Sequence, residues 1–248
     1  MSNVIVITGG SSGIGAALGE LLAGRGEQVV LVARRRQALE EVAARCGGRA
    51  DVQVADVTDR AQVRHVVEAT IATFGRIDVW INNAGQGITR NPSELTDEDL
   101  DAVMRANVHS ALYGMQEVLP HFKQRGEGQI INVSSLLGRV PFATIRSAYS
   151  AAKHFLNALT AMMRAEVQAT HPGIQISLVS PGVVRTDFGV NARHGGPDSR
   201  TFGDSQSAEE VAAVIARVIE TRQPDVYTRP AAGMITKYYS TVGADPDA

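Results

Sequence analysis

The sequence predicts an α/β fold, a single doubly wound parallel sheet with helices on both faces. Two observations support this prediction. Short apolar runs rich in Val and Ile, typical of strands buried in a parallel sheet, alternate with helical patterns along the chain. A glycine-rich turn joins the first apolar run directly to the first helix. Alternating strands and helices imply a parallel sheet with right-handed crossovers.

Seven strands are predicted from these apolar runs: Val4–Ile7, Gln28–Ala33, Val52–Ala55, Ile77–Ile81, Gln129–Val133, Gln175–Val179 and Asp225–Tyr227. Helical patterns fill the gaps: Ala16–Ala23, Gln37–Cys46, Arg60–Phe74, Asp97–Lys123, Ala148–Thr170 and Ala208–Glu220. Thr96 is a suitable N-cap for the fourth helix, and Ser207 with Glu210 forms a capping-box pattern at the start of the sixth.

Length and composition exclude several classes of protein. The 248 residues suit one domain over residues 1–248, and 44% hydrophobic with 20% charged residues is ordinary for a globular protein. A net charge of −2 gives no electrostatic basis for binding nucleic acid. We find no signal peptide, no apolar run long enough to span a membrane, and no histidine spacing that predicts a metal site. The single cysteine, Cys46, excludes an internal disulfide, so a cytoplasmic protein is expected.

The glycine-rich turn, Thr8-Gly-Gly-Ser-Ser-Gly-Ile-Gly15, indicates a dinucleotide site. Between a strand and a helix, backbone N–H groups and the helix N-terminus can receive a pyrophosphate. We expect Gly9 to permit the tight turn, Gly13 to let the backbone approach phosphate, and Gly15 to let the helix pack against the strand. The spacing Gly-x-x-x-Gly-x-Gly differs from the commoner Gly-x-Gly-x-x-Gly pattern.

The end of the second strand bears on which dinucleotide is bound. An NAD-selective site places a carboxylate there, on the ribose 2′-hydroxyl, but this chain has Ala33 followed by three arginines, Arg34 to Arg36. Guanidinium groups suit a 2′-phosphate, and Ser12 is a further candidate for contact with it. The alternative is a solvated basic turn, although cations at a helix N-terminus oppose the helix dipole. The sequence therefore favours NADP(H) over NAD(H).

A tyrosine and a lysine lie one helical turn apart in Ser147-Ala-Tyr-Ser-Ala-Ala-Lys153. On a helix, Tyr149 and Lys153 share one face. A cation beside the phenol favours the phenolate, so Lys153 is expected to lower the pKa of Tyr149 and make it usable as a general acid or base. Such a pair alone could occur by chance, and only the other motifs give it significance.

Taken together, these motifs resemble the short-chain dehydrogenase/reductase family from about residue 3 to 190. The resemblance rests on the glycine turn, Asn82-Asn-Ala-Gly85, Asn107, Ser135, the Tyr149–Lys153 pair and Pro181-Gly182. It implies a Rossmann-type fold and an NADP(H)-dependent oxidoreductase that interconverts a ketone and a secondary alcohol. It also implies a homodimer or a homotetramer.

The resemblance further implies roles for individual residues. Tyr149 would exchange a proton with the substrate oxygen, and Ser135 would hydrogen-bond that oxygen. Lys153 would hold the nicotinamide ribose, and Asn107 would anchor a water in a proton relay. The implied cofactor contacts are Gly9, Ser11, Ser12, Gly13, Ile14, Gly15, Arg34, Arg35, Asp56, Val57, Asn83, Ala84, Gly85, Tyr149, Lys153, Pro181, Gly182, Val184 and Thr186.

Several alternatives stay open on the sequence alone. Which of Ser134 and Ser135 faces the substrate depends on the pleat of the strand. Asn82-Asn83 could form a turn, and Asn107 could mark a helix irregularity. A lyase or dehalogenase on the same fold and a non-catalytic nucleotide sensor are alternative functions. The intact glycine turn and lysine argue against the first, and four intact catalytic residues argue against the second.

Two segments depart from regular patterns. Residues 188–204 contain Gly, Pro and polar residues, and we expect a mobile lid after the sixth strand, with Phe188 and Phe202 as apolar substrate contacts. Its cations, Arg193, His194 and Arg200, could contact an anionic substrate, but a solvated loop is the favoured interpretation. Thirteen residues separate Ser135 from Tyr149, one more than in many relatives, which suggests an insertion near 141–144. The tail at 230–248 diverges from the usual glycine-rich ending, which leaves dimer and tetramer equally arguable.

Overall fold

The protein, described here over residues 2–242 by a computed structural model, has one seven-stranded parallel sheet flanked by helices. Its strands are β1 (Val4–Thr8), β2 (Gln28–Ala33), β3 (Ala50–Val54), β4 (Val79–Asn82), β5 (Gly128–Val133), β6 (Ile174–Ser180) and β7 (Asp225–Tyr227). Their order in the sheet is β3-β2-β1-β4-β5-β6-β7. The order reverses between β1 and β4, as in a doubly wound sheet. The predicted fold class is confirmed.

Eight α-helices connect the strands and follow the last of them within residues 2–242. They are α1 (Gly13–Gly24), α2 (Arg36–Arg45), α3 (Arg60–Phe74), α4 (Asp97–Met104), α5 (Ser110–Arg125), α6 (Ser147–Gln168), α7 (Ala208–Thr221) and α8 (Ala232–Thr241). The predicted caps are present. Thr96 accepts a hydrogen bond from the Asp99 backbone, and Ser207 and Glu210 form the reciprocal capping box.

Each face of the sheet has its own apolar core, because successive strand residues point to opposite faces. In β1, Ile5 and Ile7 belong to the core covered by α1, α2 and α7. Val6, between them, belongs to the core covered by α3, α5 and α6. All three side chains are fully buried. The β-branched run of β1 therefore stabilises both layers at once.

The start of β4 differs from the prediction, which began the strand at Ile77. The Ile77 N–H donates to the His121 ring and the Ile77 carbonyl accepts from Arg125. Since side chains satisfy this backbone, the ladder begins only at Val79. The third strand is also shifted, from the predicted 52–55 to Ala50–Val54, by its pairing with Val29–Ala33.

The long helix predicted from Asp97 to Lys123 is interrupted. A π-helical turn, Arg105–His109, separates α4 from α5. Within it, the Asn107 side-chain amide donates to the Val103 carbonyl, 2.9 Å away, the acceptor that an α-helix would give to the Asn107 backbone N–H. The helix irregularity considered at Asn107 is therefore present.

The two segments without regular patterns contain some structure. Residues 188–204 include a short 3₁₀ turn, Ser199–Thr201, and a bridge between Arg193 and Ile88. The tail contains α8, which the sequence analysis did not predict, and the Tyr239 hydroxyl donates to the Arg139 carbonyl. The part of the tail at 243–248 lies outside the described residues.

Close packing of α5 on β4 requires a glycine at position 114. A Cβ on Gly114 would lie 2.2 Å from Asn82 Oδ1 and 2.4 Å from Trp80 Nε1. These two side chains are buried and hydrogen-bonded to each other. The helix can approach the strand this closely only because residue 114 has no side chain.

We predict that Gly114→Ala lowers the free energy of unfolding by about 1–3 kcal/mol, because the added methyl group overpacks this contact. Urea denaturation followed by circular dichroism measures the change. Gly24→Ala is the matched control, since Gly24 ends α1 and nothing lies within 4 Å of the added Cβ. Equal unfolding midpoints for Gly114→Ala and the wild-type protein would contradict the prediction.

Candidate active site

A large cleft of about 1760 Å³ runs along the carboxyl edge of the sheet. It crosses the point between β1 and β4 where the strand order reverses, the usual position of a ligand site in doubly wound sheets. At one end lie residues that follow β1, β2 and β3, and at the other lie Ser135, Tyr149 and the segment after β6. The cleft is long enough to bring the predicted cofactor residues and the Tyr–Lys pair into one site.

The glycine turn forms the floor of the cleft between β1 and α1. Gly9 and Gly13 have φ angles of 69° and 53°, in the left-handed region that favours glycine. A Cβ on Gly15 would lie 2.3 Å from the Gly9 carbonyl oxygen and 2.7 Å from Asn83 Nδ2. Gly15 therefore lets α1 pack against the turn and the end of β4, and it does not line the cleft.

The Thr8 hydroxyl joins the glycine turn to the segment after β4. It accepts from the backbone N–H groups of Asn83 and Ala84 at 3.0 and 3.2 Å and donates to the Ile81 carbonyl at 3.1 Å. The Asn83 side chain donates back to the Thr8 carbonyl at 3.0 Å. Asn83 is thus a structural tie as well as a wall of the cleft, and Ala84 and Gly85 follow it along that wall.

Exposed arginines border the far end of the cleft, beyond β2. Arg34 and Arg35 line it and form no salt bridge within residues 2–242. Arg36 points elsewhere, pairing with Glu40 at 3.6 Å. Asp56 and Val57, after β3, line the same end. The Asp56 carboxylate caps the backbone and hydroxyl of Thr58, so its charge is directed into its own turn.

Tyr149 lies on α6 with its side chain buried in the cleft wall. Burial raises the pKa of Tyr149 to about 12, while its hydrogen bond with Ser135 and the charge of Arg146 act in the opposite direction. The one-turn spacing of Tyr149 and Lys153 predicts the opposite, that Lys153 lowers this pKa. That expectation is wrong for this geometry, because the cost of burying a phenolate exceeds the combined effect of the Ser135 hydrogen bond and the Arg146 charge.

Lys153, one turn further along α6, is also buried. Its Nζ donates to the Val133 carbonyl at 2.9 Å and lies 5.6 Å from the centre of the Tyr149 ring. Burial lowers the pKa of Lys153 to about 8. The ammonium group is therefore tied to the end of β5 and lies over the ring of Tyr149.

The two serines after β5 point to different partners. The Ser134 hydroxyl donates to Asn157 Oδ1 on α6, whereas Ser135 forms a hydrogen bond with Tyr149 and accepts from the Leu137 backbone. This arrangement assigns Ser135 to the Tyr149 site. Ser134 mainly fastens α6 to the sheet.

Asn107 and Gly85 meet behind the cleft. The Asn107 amide binds both backbone groups of Gln86, accepting from its N–H and donating to its carbonyl. A Cβ on Gly85 would lie 2.8 Å from Asn107 Oδ1. Asn107 is fully buried and does not line the cleft, in contrast to Gly85.

The remaining predicted cofactor residues also lie along the cleft: Ser11, Ser12, Ile14, Pro181, Gly182, Val184 and Thr186. Ser12 is the N-cap of α1 and its exposed side chain makes no capping hydrogen bond. Thr186 faces the turn, since a Cβ on Gly13 would lie 3.2 Å from its methyl group. The cleft thus combines glycines in the left-handed region, a serine hydroxyl with no capping bond, and arginines with no salt bridge among residues 2–242. These features fit an anionic dinucleotide.

The cations of segment 188–204 are engaged with carboxylates and do not face the Tyr149 end of the cleft as free charges. Arg193 Nε and His194 Nε2 each lie 2.7 Å from Asp99 Oδ1, and Arg200 pairs with Asp198. Contact with Arg193 and His194 holds the pKa of the buried Asp99 carboxyl well below its usual range. Phe188 packs beside Tyr149, with the ring centres 5.4 Å apart, and Phe202 also lines the cleft.

Sequence reasoning missed one polar residue of this site, Arg146. It is the N-cap residue of α6 and lines the cleft near Tyr149. The signal was present, because residues three apart on a helix lie on neighbouring faces.

Within residues 2–242, no cluster of His, Cys, Asp and Glu side chains could hold a metal ion. In the same range, no helix combines the length and apolar character needed to cross a bilayer.

Comparison with known proteins gives consistent results. A model of the family described as short chain dehydrogenase matches residues 3–196. An uncharacterized oxidoreductase of Staphylococcus epidermidis is 35% identical over 221 residues, which cover 89% of this chain and 91% of that protein.

Two solved structures resemble the fold. A short-chain dehydrogenase from Streptomyces avermitilis superposes with a TM-score of 0.85 at 30% identity, covering 98% of this chain and 95% of that one. A short-chain dehydrogenase/reductase from Burkholderia phymatum, solved in complex with NAD, has a TM-score of 0.89 at 23% identity and the same coverages, 98% and 95%.

The titration of Tyr149 tests the balance between burial and nearby cations. We predict that Tyr149 keeps its proton to about pH 12, whereas tyrosine in water ionises near pH 10. The difference in tyrosinate absorbance between wild type and Tyr149→Phe isolates this residue during an alkaline titration. Ionisation at or below pH 10 would show that the polar groups around Tyr149 outweigh burial and would contradict the prediction.

Proposed function

The chain belongs to the short-chain dehydrogenase family, and on that premise we propose that it is an NADP(H)-dependent oxidoreductase interconverting a ketone and a secondary alcohol. The observation that carries the proposal is the meeting of Ser135, Tyr149 and Lys153 in the cleft that the glycine turn also lines. A non-catalytic nucleotide sensor would need the turn but not a buried phenol and ammonium beside a hydrogen-bonding serine.

Tyr149 is the proposed general acid in ketone reduction. With its pKa raised to about 12, the phenol is fully protonated at neutral pH and can give its proton to a developing alkoxide. Ser135, already hydrogen-bonded to Tyr149, would hold the substrate oxygen beside the phenol. In alcohol oxidation the same groups would work in reverse, with Tyr149 receiving the proton.

Lys153 has two proposed tasks. With its pKa lowered to about 8, it is still mostly protonated at neutral pH, so it places a positive charge by the phenolate that remains after proton transfer. It would also donate to the ribose hydroxyls of the cofactor. A bound nicotinamide would supply the hydride. Asn107 is proposed to support this region by fixing the Gln86 backbone, and a water held near it would relay protons to Lys153.

The preference for NADP(H) rests on the arginines after β2. Arg34 and Arg35 are exposed, line the cleft and lack carboxylate partners within residues 2–242, so both remain available to a 2′-phosphate. Ala33 presents no carboxylate that would repel it. Charge-assisted, bidentate contacts of this kind are among the strongest that a surface arginine makes.

Three further features belong to the proposal. Residues 188–204 would act as a lid, and their mobility stays a prediction.

Phe155 and Met162 expose 52% and 67% of their surface on α6, which supports a homodimer or homotetramer. The buried Cys46 is compatible with the reducing cytoplasm, the proposed location.

We predict that Tyr149→Phe folds and binds NADPH but turns over ketones roughly 10²–10⁴-fold more slowly, because the general acid is lost. A panel of ketones with NADPH, followed by absorbance of the reduced nicotinamide, measures this. Ser134→Ala is the matched control, because it removes a hydroxyl bonded to Asn157 and leaves Ser135 and Tyr149 in place. Turnover by Tyr149→Phe at the level of Ser134→Ala would remove Tyr149 from the mechanism.

We predict that Arg34→Ala weakens NADPH binding by about 10–150-fold, which corresponds to the loss of about 1.5–3 kcal/mol from a charge-assisted contact. NADH, which lacks the 2′-phosphate, should be little affected, and adding Ala33→Asp should move the preference toward NADH. Fluorescence titration with both nucleotides measures the dissociation constants. Arg36→Ala is the control, since Arg36 pairs with Glu40. Parallel weakening of both nucleotides, or of neither, would exclude the 2′-phosphate role.

A further inference from the structure

Arg146 places a half-buried guanidinium at the Tyr149 end of the cleft. Its Nη1 donates to the Ile88 carbonyl and to Thr89 Oγ1, both at 3.1 Å. These two bonds attach the side chain to the segment after β4 and fix its direction. Nε and Nη2 make no hydrogen bond within residues 2–242 and are not sealed from solvent. Donor groups of a fixed cation therefore remain available at the cleft.

The charge of Arg146 has no carboxylate partner among the described residues, 2–242. Three other arginines that line the cleft are paired: Arg200 with Asp187 and Asp198, Arg229 with Asp204, and Arg45 with Glu20. Arg34 and Arg35, which also lack a salt bridge among these residues, are exposed and lie beyond β2. Burial lowers the pKa of Arg146, and the charge of the Tyr149 phenolate acts in the opposite direction without cancelling the effect of burial. An uncompensated buried cation is costly to a fold unless something else neutralises it.

The surroundings of Arg146 suit an organic anion with an apolar body. Leu137, Phe142, Ile145 and Phe188 line the same end of the cleft. Phe142, Ile145 and Phe188 expose 51%, 38% and 38% of their surfaces, so apolar contact area is available to a ligand. Inorganic anions would gain nothing from these side chains, whereas an acid carrying an alkyl or aryl group would bury them.

We propose that Arg146 binds a carboxylate of the substrate, so that the substrates are keto acids and hydroxy acids with an apolar chain. The proposal rests on the oxidoreductase function proposed above and adds the substrate class. A planar guanidinium matches a carboxylate in bidentate geometry, and residue 146 is one helical turn before Tyr149, so the acid group and the reacting carbonyl would lie on one side of α6. Arg146 is then a residue that determines specificity.

The competing explanation is that Arg146 acts only through Tyr149, whose phenolate its charge stabilises. The two explanations differ in what they require of the substrate. An effect through Tyr149 changes turnover of every ketone alike. Carboxylate binding changes the KM of acids and leaves neutral ketones nearly untouched.

The kinetic test compares apolar keto acids with their neutral amides, in wild type, Arg146→Gln and Arg146→Lys. We expect wild type to prefer the acid. In Arg146→Gln the KM for the acid should rise by about 10–150-fold, the equivalent of one charge-assisted contact, while the KM for the amide changes little. Any change in kcat that comes from the lost charge beside Tyr149 should be the same for acid and amide. Arg146→Lys should recover part of the loss. Arg200→Gln removes a cation that is already paired with carboxylates and should leave the preference unchanged.

A binding test needs no turnover. An aryl-alkyl carboxylate that lacks a carbonyl is titrated into each protein with NADPH present, and its dissociation constant is measured by calorimetry. Tighter binding to wild type than to Arg146→Gln supports the proposal. Equal binding overturns the proposal, as does an equal change of KM for acid and amide or a wild-type preference for the amide. If wild type reduces neither substrate, the oxidoreductase function fails, and the calorimetry still decides whether Arg146 binds carboxylates. If Arg146→Gln does not fold, the preference of the wild-type protein for the acid or for the amide decides the proposal.

Discussion

The cleft depends on the tie between the ends of β1 and β4. One hydroxyl, that of Thr8, makes three hydrogen bonds, one to Ile81 in β4 and two to the Asn83 and Ala84 backbone just after it, and the Asn83 side chain donates to the Thr8 carbonyl. In a doubly wound sheet these two ends would otherwise diverge, because the helices that follow them go to opposite faces. The tie fixes the distance between the glycine turn and the wall formed by Ala84 and Gly85. Gly15 completes it, since any side chain there would strike Gly9 and Asn83. The position of α1 and that of the cleft wall are thus set together.

The chemistry of the site follows from burial more than from charge. Tyr149 and Lys153 are both removed from water on one side of α6, and burial moves their pKa values in opposite directions, upward for the phenol and downward for the ammonium. Each group is thereby kept nearer its neutral form. The phenol keeps its proton at neutral pH, and the ammonium group of Lys153 releases a proton more readily than a solvated lysine does. Arg146 and Ser135 favour the phenolate of Tyr149, but their effect on its pKa is smaller than that of burial.

Local sequence patterns predicted the sheet, most helices and the residues around the glycine turn, because strand burial, caps and glycine geometry are decided by neighbours in the chain. The failures have long-range causes. Ile77 leaves the ladder because His121 and Arg125 bind its backbone, and the helix after Asp97 is interrupted where Asn107 reaches Gln86. The direction of the Tyr149 pKa depends on how deeply α6 is buried, which spacing along a helix does not reveal. The three-residue spacing of Arg146 and Tyr149 can be read from the sequence, but the absence of a carboxylate partner for Arg146 among residues 2–242 is visible only when the cleft is assembled.

The contact between segment 188–204 and α4 changes the entropy of closing that segment over a ligand. Arg193 and His194 are fastened to Asp99 near the middle of the segment, and Arg193 also exchanges backbone bonds with Gly87 and Thr89. Fixing the backbone of one residue costs about 1–2 kcal/mol of conformational entropy at 25 °C. At Arg193 and His194 this loss of entropy occurs when the chain folds and not when a ligand binds. If the lid closes as proposed, we expect the segment to move as two short arms joined at a fixed point. A ligand that orders either arm needs to immobilise only a few residues, so more of its binding free energy remains for discrimination between substrates.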